Sequence, residues 1–146
     1  SLHKTKVTWT TWSTISMKGN KMIDLIKKMH NQFGISHAEL PNFSDEERRF
    51  RIAAMLEELS EFTSAKTKED ELDALVDLVV FALGTAERMG FADVFEQAYG
   101  RLMGFKMTKT LGANNNVGSF QIDLVKGENF QPANIKDLVS AAEFGW

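Results

Sequence analysis

The chain has no cysteine among its 146 residues. Disulfides and thiolate metal sites are therefore excluded, and a cysteine-free chain fits a reducing compartment. Proline is scarce too, at two residues, so little interrupts helices. No apolar run approaches the ~18 residues that crossing a bilayer demands. Val7–Ile15 (VTWTTWSTI) is mostly threonine, serine and tryptophan and so supplies no secretory h-region. Nor is there an excess of positive charge: 17 Lys and Arg against 20 Asp and Glu leave a net charge of −3, which offers nothing to a nucleic acid. The histidines are His3, His30 and His37 alone. None makes the Glu-x-x-His pair that a di-iron carboxylate bundle needs. Calcium-binding loops, Gly-rich phosphate loops and the G-x-S-x-G elbow are also missing. The expectation is a cytoplasmic protein without a membrane or nucleic-acid partner.

What is present is helix-forming sequence, 43% hydrophobic and 25% charged, of a length that suits one domain with a real core. It points to an all-α class. Residues 1–19 show no helical period and read as an N-terminal arm or an added extension, with Met17 and Met22 as alternative natural starts. Residues 20–146 form the domain. Asn20 is the expected N-cap of a first helix whose Met22, Leu25, Ile26, Met29 and Phe33 share a face, with Gly34 ending it. Ser44-Asp-Glu-Glu47 is a capping box, in which Glu47 is expected to reach back to the cap. It opens a second helix over 45–64. There Ile52, Met55, Leu56, Leu59 and Phe62 or Thr63 form the main apolar stripe, and Ala54, Glu58, Glu61 and Ala65 form another beside it.

Thr67-Lys-Glu-Asp70 starts a third helix, apolar on nearly every side from Leu72 to Ala86, which predicts burial all round. Gly84 would leave room for a ligand or a close helix. Gly90 is placed to end this helix, and a fourth is predicted from Ala92 to Lys109, with Val94, Phe95, Ala98, Leu102 and Phe105 inward. The segment 112–118 (GANNNVG) reads as a loop, Phe120, Ile122 and Leu124 alternate only briefly, and a short helix is expected over 133–143.

The chemistry lies in carboxylates at helical spacing. Glu58 and Glu61 stand at i and i+3, and Asp73 and Asp77 stand at i and i+4 on the next helix. Asp73 and Asp77 sit in a helix without a polar face, with no Lys or Arg between residues 69 and 87. Buried carboxylates cost several kcal/mol unless paired, protonated or bound to metal. Four acids on adjacent antiparallel helices can converge on one cation. With oxygen ligands only, the hard cations Mg²⁺ or Mn²⁺ are favoured. Lys106 and Lys109 suit the C-terminal dipole of the fourth helix, but with Lys126 they are also candidate phosphate ligands. Arg51, two turns before Glu58, is placed to orient that carboxylate or to touch phosphate. His30 and His37 read as packed or surface residues.

The runs E-E-L-S-E (Glu57–Glu61) and D-A-L-V-D-L-V-V-F-A-L-G-T-A (Asp73–Ala86) resemble the MazG-like, all-α nucleoside triphosphate pyrophosphohydrolase superfamily, in its phosphoribosyl-ATP pyrophosphohydrolase-like branch. Phe33-Gly34-Ile35, Arg51 and Gly84-Thr85-Ala86 resemble it too, and Lys106–Lys109 and Asp123–Lys126 do so more loosely. The superfamily carries E-x-x-E, then E-x-x-D. Glu58, Glu61 and Asp77 match, whereas position 74 is Ala74, with Asp73 as the expected substitute ligand.

The resemblance implies a four-helix-bundle-type domain with an irregular C-terminal tail, assembled as a homodimer or dimer of dimers. It also implies hydrolysis of a nucleoside triphosphate between its α- and β-phosphates. Glu58, Glu61, Asp73 and Asp77 would hold Mg²⁺, with Glu61 as general base. Lys106, Lys109, Lys126 and Arg51 would bind phosphate. A canonical or damaged nucleotide, dUTP and phosphoribosyl-ATP all stay open as substrates, and Phe33, Phe43 and Trp146 as stacking residues. The contrasting reading is a non-catalytic helical oligomer whose acids bind a structural cation or a partner, and Ala74 speaks for it.

Overall fold

The computed structural model describes residues 15–114 and 120–143. Most of the N-terminal arm, the last four residues of the GANNNVG segment and Trp146 lie outside them. In order come α1 (Met22–Gln32), α2 (Asp45–Ser64), α3 (Lys68–Arg88), α4 (Ala92–Lys106), β1 (Thr110–Asn114), β2 (Phe120–Val125) and α5 (Lys136–Glu143). The domain is thus all-α in its main body, with a short antiparallel hairpin appended. Packing is closest between α2 and α3; α1 lies on α3, and α4 contacts α1, α3 and α5.

Local chemistry explains the boundaries. Ser44 Oγ accepts a hydrogen bond from the Glu47 amide at 3.0 Å, and Thr67 Oγ1 accepts from the Asp70 amide at 3.1 Å, so both long helices start on hydroxyl caps. Only that half of the capping box forms, because the Glu47 carboxylate is taken by Arg51 and Arg88. Helix α1 starts one residue later than expected. Lys21 occupies the cap position, while the Asn20 amide donates to Ser16 O.

Gly90, at φ 89, closes α3 in the left-handed region, and a Cβ there would stand 2.9 Å from His37 Nε2. Helix α4 ends at Lys106 rather than Lys109. The Thr108 hydroxyl bonds back to Phe105 O at 2.6 Å and accepts from the Gln131 amide at 2.9 Å, which turns the chain into β1. Residues 112–114 consequently belong to a strand, where pairing with β2 outweighs their loop-like composition. The last helix is shorter than expected and begins at Lys136.

The core sits where Ile23, Ile26 and Leu83 meet, with Val80, Ala92 and Phe95 against them. The buried face of α1 is therefore Ile23, Ile26 and His30, turned slightly from the expected stripe: Met22, Met29 and Phe33 are exposed. A larger departure concerns α2. Its main apolar stripe faces outward, with Ile52 49%, Leu56 60% and Leu59 44% exposed, while the stripe carrying Ala54 and Glu58 turns toward α3. Helix α3 is not buried all round either, since Leu72, Leu75, Val76 and Val79 are exposed.

Among the described residues no helix is long and apolar enough to cross a membrane. Ile23 is 2% exposed at the centre of the cluster. Ile23→Ala should lower unfolding free energy by about 2–4 kcal/mol, read as a lower urea midpoint at unchanged m-value.

Candidate active site

Helices α2 and α3 run antiparallel, and their facing sides meet in two contrasting zones. The first is a buried polar lattice. Glu47 accepts from Arg51 Nε at 3.1 Å, from Arg88 Nε at 2.9 Å and, on its other oxygen, from Arg88 Nη2 at 2.9 Å. Arg88 also donates to Leu40 O at 2.6 Å and to Asn42 O at 3.0 Å, tying down the loop between α1 and α2.

The same loop is held from α3 by Glu87, which accepts from the His37 amide at 3.0 Å and is hydrogen-bonded to His30 Nδ1 at 2.6 Å. The paired guanidiniums hold the Glu47 carboxyl below its ordinary value, the Arg88 hydrogen bonds contributing most. Burial of two arginines and a glutamate is tolerated here because each has a charged or carbonyl partner.

Gly84 lies at the centre of this zone. A Cβ there would stand 2.9 Å from Arg51 Nη1 and 3.5 Å from His30 Nε2. The room left by its missing side chain is thus filled by Arg51 and His30. Arg51 is 7% exposed and engaged by Glu47. His30 is packed, as its position suggested, but inside a charged lattice.

The second zone lies two turns along both helices, from Arg51 to Glu58 and from Gly84 to Asp77. Here carboxylates crowd together. Glu58 Oε2 is buried without a hydrogen-bond partner. The Glu58 carboxyl is pushed up to about 7, chiefly by burial, then by the neighbouring Glu61 carboxyl and by the negative charges of Asp77 and Glu57. Glu58, Glu61 and Asp77 are therefore brought together.

Asp73 is exposed and is not among the groups that act on Glu58. Ala74, at 2% exposure, occupies the buried face instead. Carried one turn further, the same register sets Glu61 opposite Ala74. Among the described residues no three His, Cys, Asp or Glu side chains already stand as a metal cluster.

The candidate phosphate ligands lie elsewhere. Lys109 and Lys126 sit over the Phe130 ring, 5.9 and 5.4 Å from its centroid. Lys106 is exposed in the last turn of α4. The hairpin side makes no substantial packing contact with α2. Of the candidate stacking aromatics, Phe33 is 66% exposed and Phe43 lies under Arg48 at 5.3 Å.

The family model described as phosphoribosyl-ATP pyrophosphohydrolase matches residues 26–99, the span that holds both acid pairs, Arg51 and Gly84. The chain belongs to this family, within the MazG-like nucleoside triphosphate pyrophosphohydrolase superfamily. Its class is accordingly that of a pyrophosphohydrolase, a hydrolase of acid anhydrides that acts on a nucleotide-type substrate. No curated protein and no solved structure matches the chain.

Sequence reasoning missed the Glu47–Arg88 and His30–Glu87 pairs. Their signal was there: His30 falls at i+7 from Ile23 on the buried face, and Glu87-Arg88 are the first charges after Asp77 in α3.

The two carboxyls bear on stability with opposite signs. Glu47, held low, contributes stability above its unfolded value near 4.5, and this is lost as pH falls through its folded value. Glu58, raised to about 7, keeps a proton that the unfolded chain has released, so its contribution turns unfavourable as pH rises from about 4.5 to 7. In metal-free buffer at pH 8, Glu58→Gln should therefore stabilise the protein, on the order of 1 kcal/mol after discounting for solvent. The gain should vanish by pH 4. Thermal unfolding of both proteins across that range checks it.

Proposed function

We propose that this pyrophosphohydrolase cleaves a nucleoside triphosphate between its α- and β-phosphates with the help of Mg²⁺, releasing monophosphate and pyrophosphate. The supporting observation is the orphaned, buried Glu58 oxygen amid Glu61 and Asp77, a group whose repulsion a cation would relieve. Glu58, Glu61 and Asp77 would hold the ion, and Asp73, which faces outward, would join them only by turning its side chain. An open set of acids suits Mg²⁺, which keeps waters and shares its shell with substrate phosphates, and Mn²⁺ can replace it. When bound, such an ion neutralises phosphate charge and acidifies a water.

The protein's own part is to hold and take protons. The Glu58 carboxyl must lose its proton as the ion enters, so metal affinity should rise with pH through about 7. Glu61, exposed beside it, is our assignment for the base that receives a proton from the attacking water. Lys106, Lys109 and Lys126 supply the cations for the β- and γ-phosphates. The base is left open among canonical and damaged nucleotides, dUTP and phosphoribosyl-ATP. A nucleotide pool is a cytoplasmic substrate, which agrees with the cysteine-free composition.

In this reading the chain works as a homodimer or a dimer of dimers. The exposed stripe of α2, the exposed side of α3 and an apolar groove of about 520 Å³ between α1 and α3 (Met22, Leu25, Val76, Val79) offer apolar surface that a second copy would cover. The contrasting reading, a non-catalytic oligomer, draws on the buried Ala74, which removes an acid from that face.

Pyrophosphate release from a panel of NTPs, dNTPs and phosphoribosyl-ATP, with and without Mg²⁺, separates the two. We expect metal-dependent release that falls by at least about a hundredfold in Asp77→Ala. A folded protein that releases nothing from any of them would favour the binding module. In sedimentation, wild type should run as a dimer or larger and Leu56→Asp as a smaller species, since a charge there cannot be buried unpaired. A monomeric wild type would remove the assembly from the proposal.

A further inference from the structure

The two zones along α2 and α3 are joined by one close fit. Arg51 Nη1 lies where a Cβ on Gly84 would come within 2.9 Å of it. An arginine tip can ordinarily swing away from such a contact. This one has little freedom. Its Nε is bonded to Glu47, Glu47 is gripped by Arg88, and His30, fixed by Glu87, covers the same glycine at 3.5 Å. Arg51 is 7% exposed, which leaves its guanidinium little solvent into which to retreat.

Two turns further along both helices stand Glu58 and Asp77. A straight helix carries a displacement along its length, so α2 sliding by one residue's rise of about 1.5 Å moves Glu58 by the same amount relative to Asp77. We propose that Arg51 and Gly84 form a positioning pair: the guanidinium seated over the bare Cα of Gly84 sets the α2–α3 register that brings Glu58 to Asp77, and with it the ability of the acids to bind a cation. The proposal rests on the reading of those acids as a cation site. It assigns to Arg51 a role through register, without contact to substrate, and explains why a glycine stands at a buried position inside α3 at a cost in helix propensity.

The test uses Mn²⁺ alone as probe, with free ion counted by electron paramagnetic resonance, on full-length wild type, Gly84→Ala, Arg51→Lys and the double variant. Thermal unfolding is recorded for each. Gly84→Ala should lose about tenfold or more in Mn²⁺ affinity and, with a nucleotide that wild type hydrolyses, a similar factor in kcat, while KM for nucleotide changes much less. Lysine has no Nη1 to meet the new methyl, yet its ammonium reaches toward Glu47. The double variant should therefore recover most of the loss and bind Mn²⁺ like Arg51→Lys alone, a strongly non-additive pair.

Wild-type Mn²⁺ affinity in Gly84→Ala, even with a lowered melting temperature, would reduce the contact to packing and overturn the proposal. So would a double variant that binds no better than Gly84→Ala. Should Gly84→Ala not fold, the double variant is compared with Arg51→Lys: equal affinity supports the pair, and a further loss overturns it. A wild type that binds Mn²⁺ but releases no pyrophosphate would sink the enzymatic reading while leaving this comparison intact. A wild type that binds no Mn²⁺ would sink both.

Discussion

Like charges on facing helices repel, and α2 and α3 face each other across at least three carboxylates. Something must hold the pair together against that repulsion. The Glu47–Arg51–Arg88 lattice lies two turns away on the same interface, and its charges are paired and bonded to backbone carbonyls of the preceding loop. One end of the interface is electrostatically satisfied and the other is not. A short, satisfied network is rigid because every member loses a bond if it moves. The acids can therefore sit in an unfavourable arrangement with Glu58 pushed up to about 7. Strain of this kind, stored at one place and opposed by a neighbour, is a reason to look for function there.

The lattice also decides how the remaining elements are placed. Arg88 and Glu87, adjacent at the end of α3, reach Leu40, Asn42 and the His37 amide in the loop, and His30 on α1. Thus α1, the loop, α2 and α3 are bonded into one unit before any apolar contact is counted. The small cluster of Ile23, Ile26 and Leu83 then packs α1 on α3. A few apolar residues suffice there because polar side chains do much of the orienting.

Much of this was legible from residues alone, and the reasons differ by feature. Helix starts were clear where a hydroxyl cap precedes acids, as at Ser44 and Thr67, because capping is local chemistry. The end of α3 was clear from Gly90, whose positive φ suits few other residues. The convergence of Glu58, Glu61 and Asp77 followed from helical spacing on consecutive helices. What escaped was non-local. Glu47 and Arg88 lie far apart in sequence, and no spacing rule joins them. Asn114 and its neighbours became a strand because a partner strand was available, which composition does not record. Asp73 looked equivalent to Ala74 as a place for an acid, but a step of one residue turns a side chain by about 100° on a helix. Asp73 consequently faces outward and Ala74 inward.

The apolar pattern of α2 and α3 carries a further lesson about what hydrophobicity predicts. Periodicity found the apolar stripe of α2 but not the direction in which it faces. Leu56, Ile52 and Leu59 form a regular stripe, yet α2 turns its alanine- and glutamate-bearing stripe toward α3. If the chain acted alone, the reverse orientation would bury more apolar surface and leave the acids hydrated, which is favourable on both counts. The arrangement makes physical sense when the outward stripe is covered by a second copy and the inward acids gain a cation. Each of those two proposals therefore supports the other. In the proposed reading a second copy would cover the leucines turned to water, and a cation would offset the carboxylates gathered around Glu58.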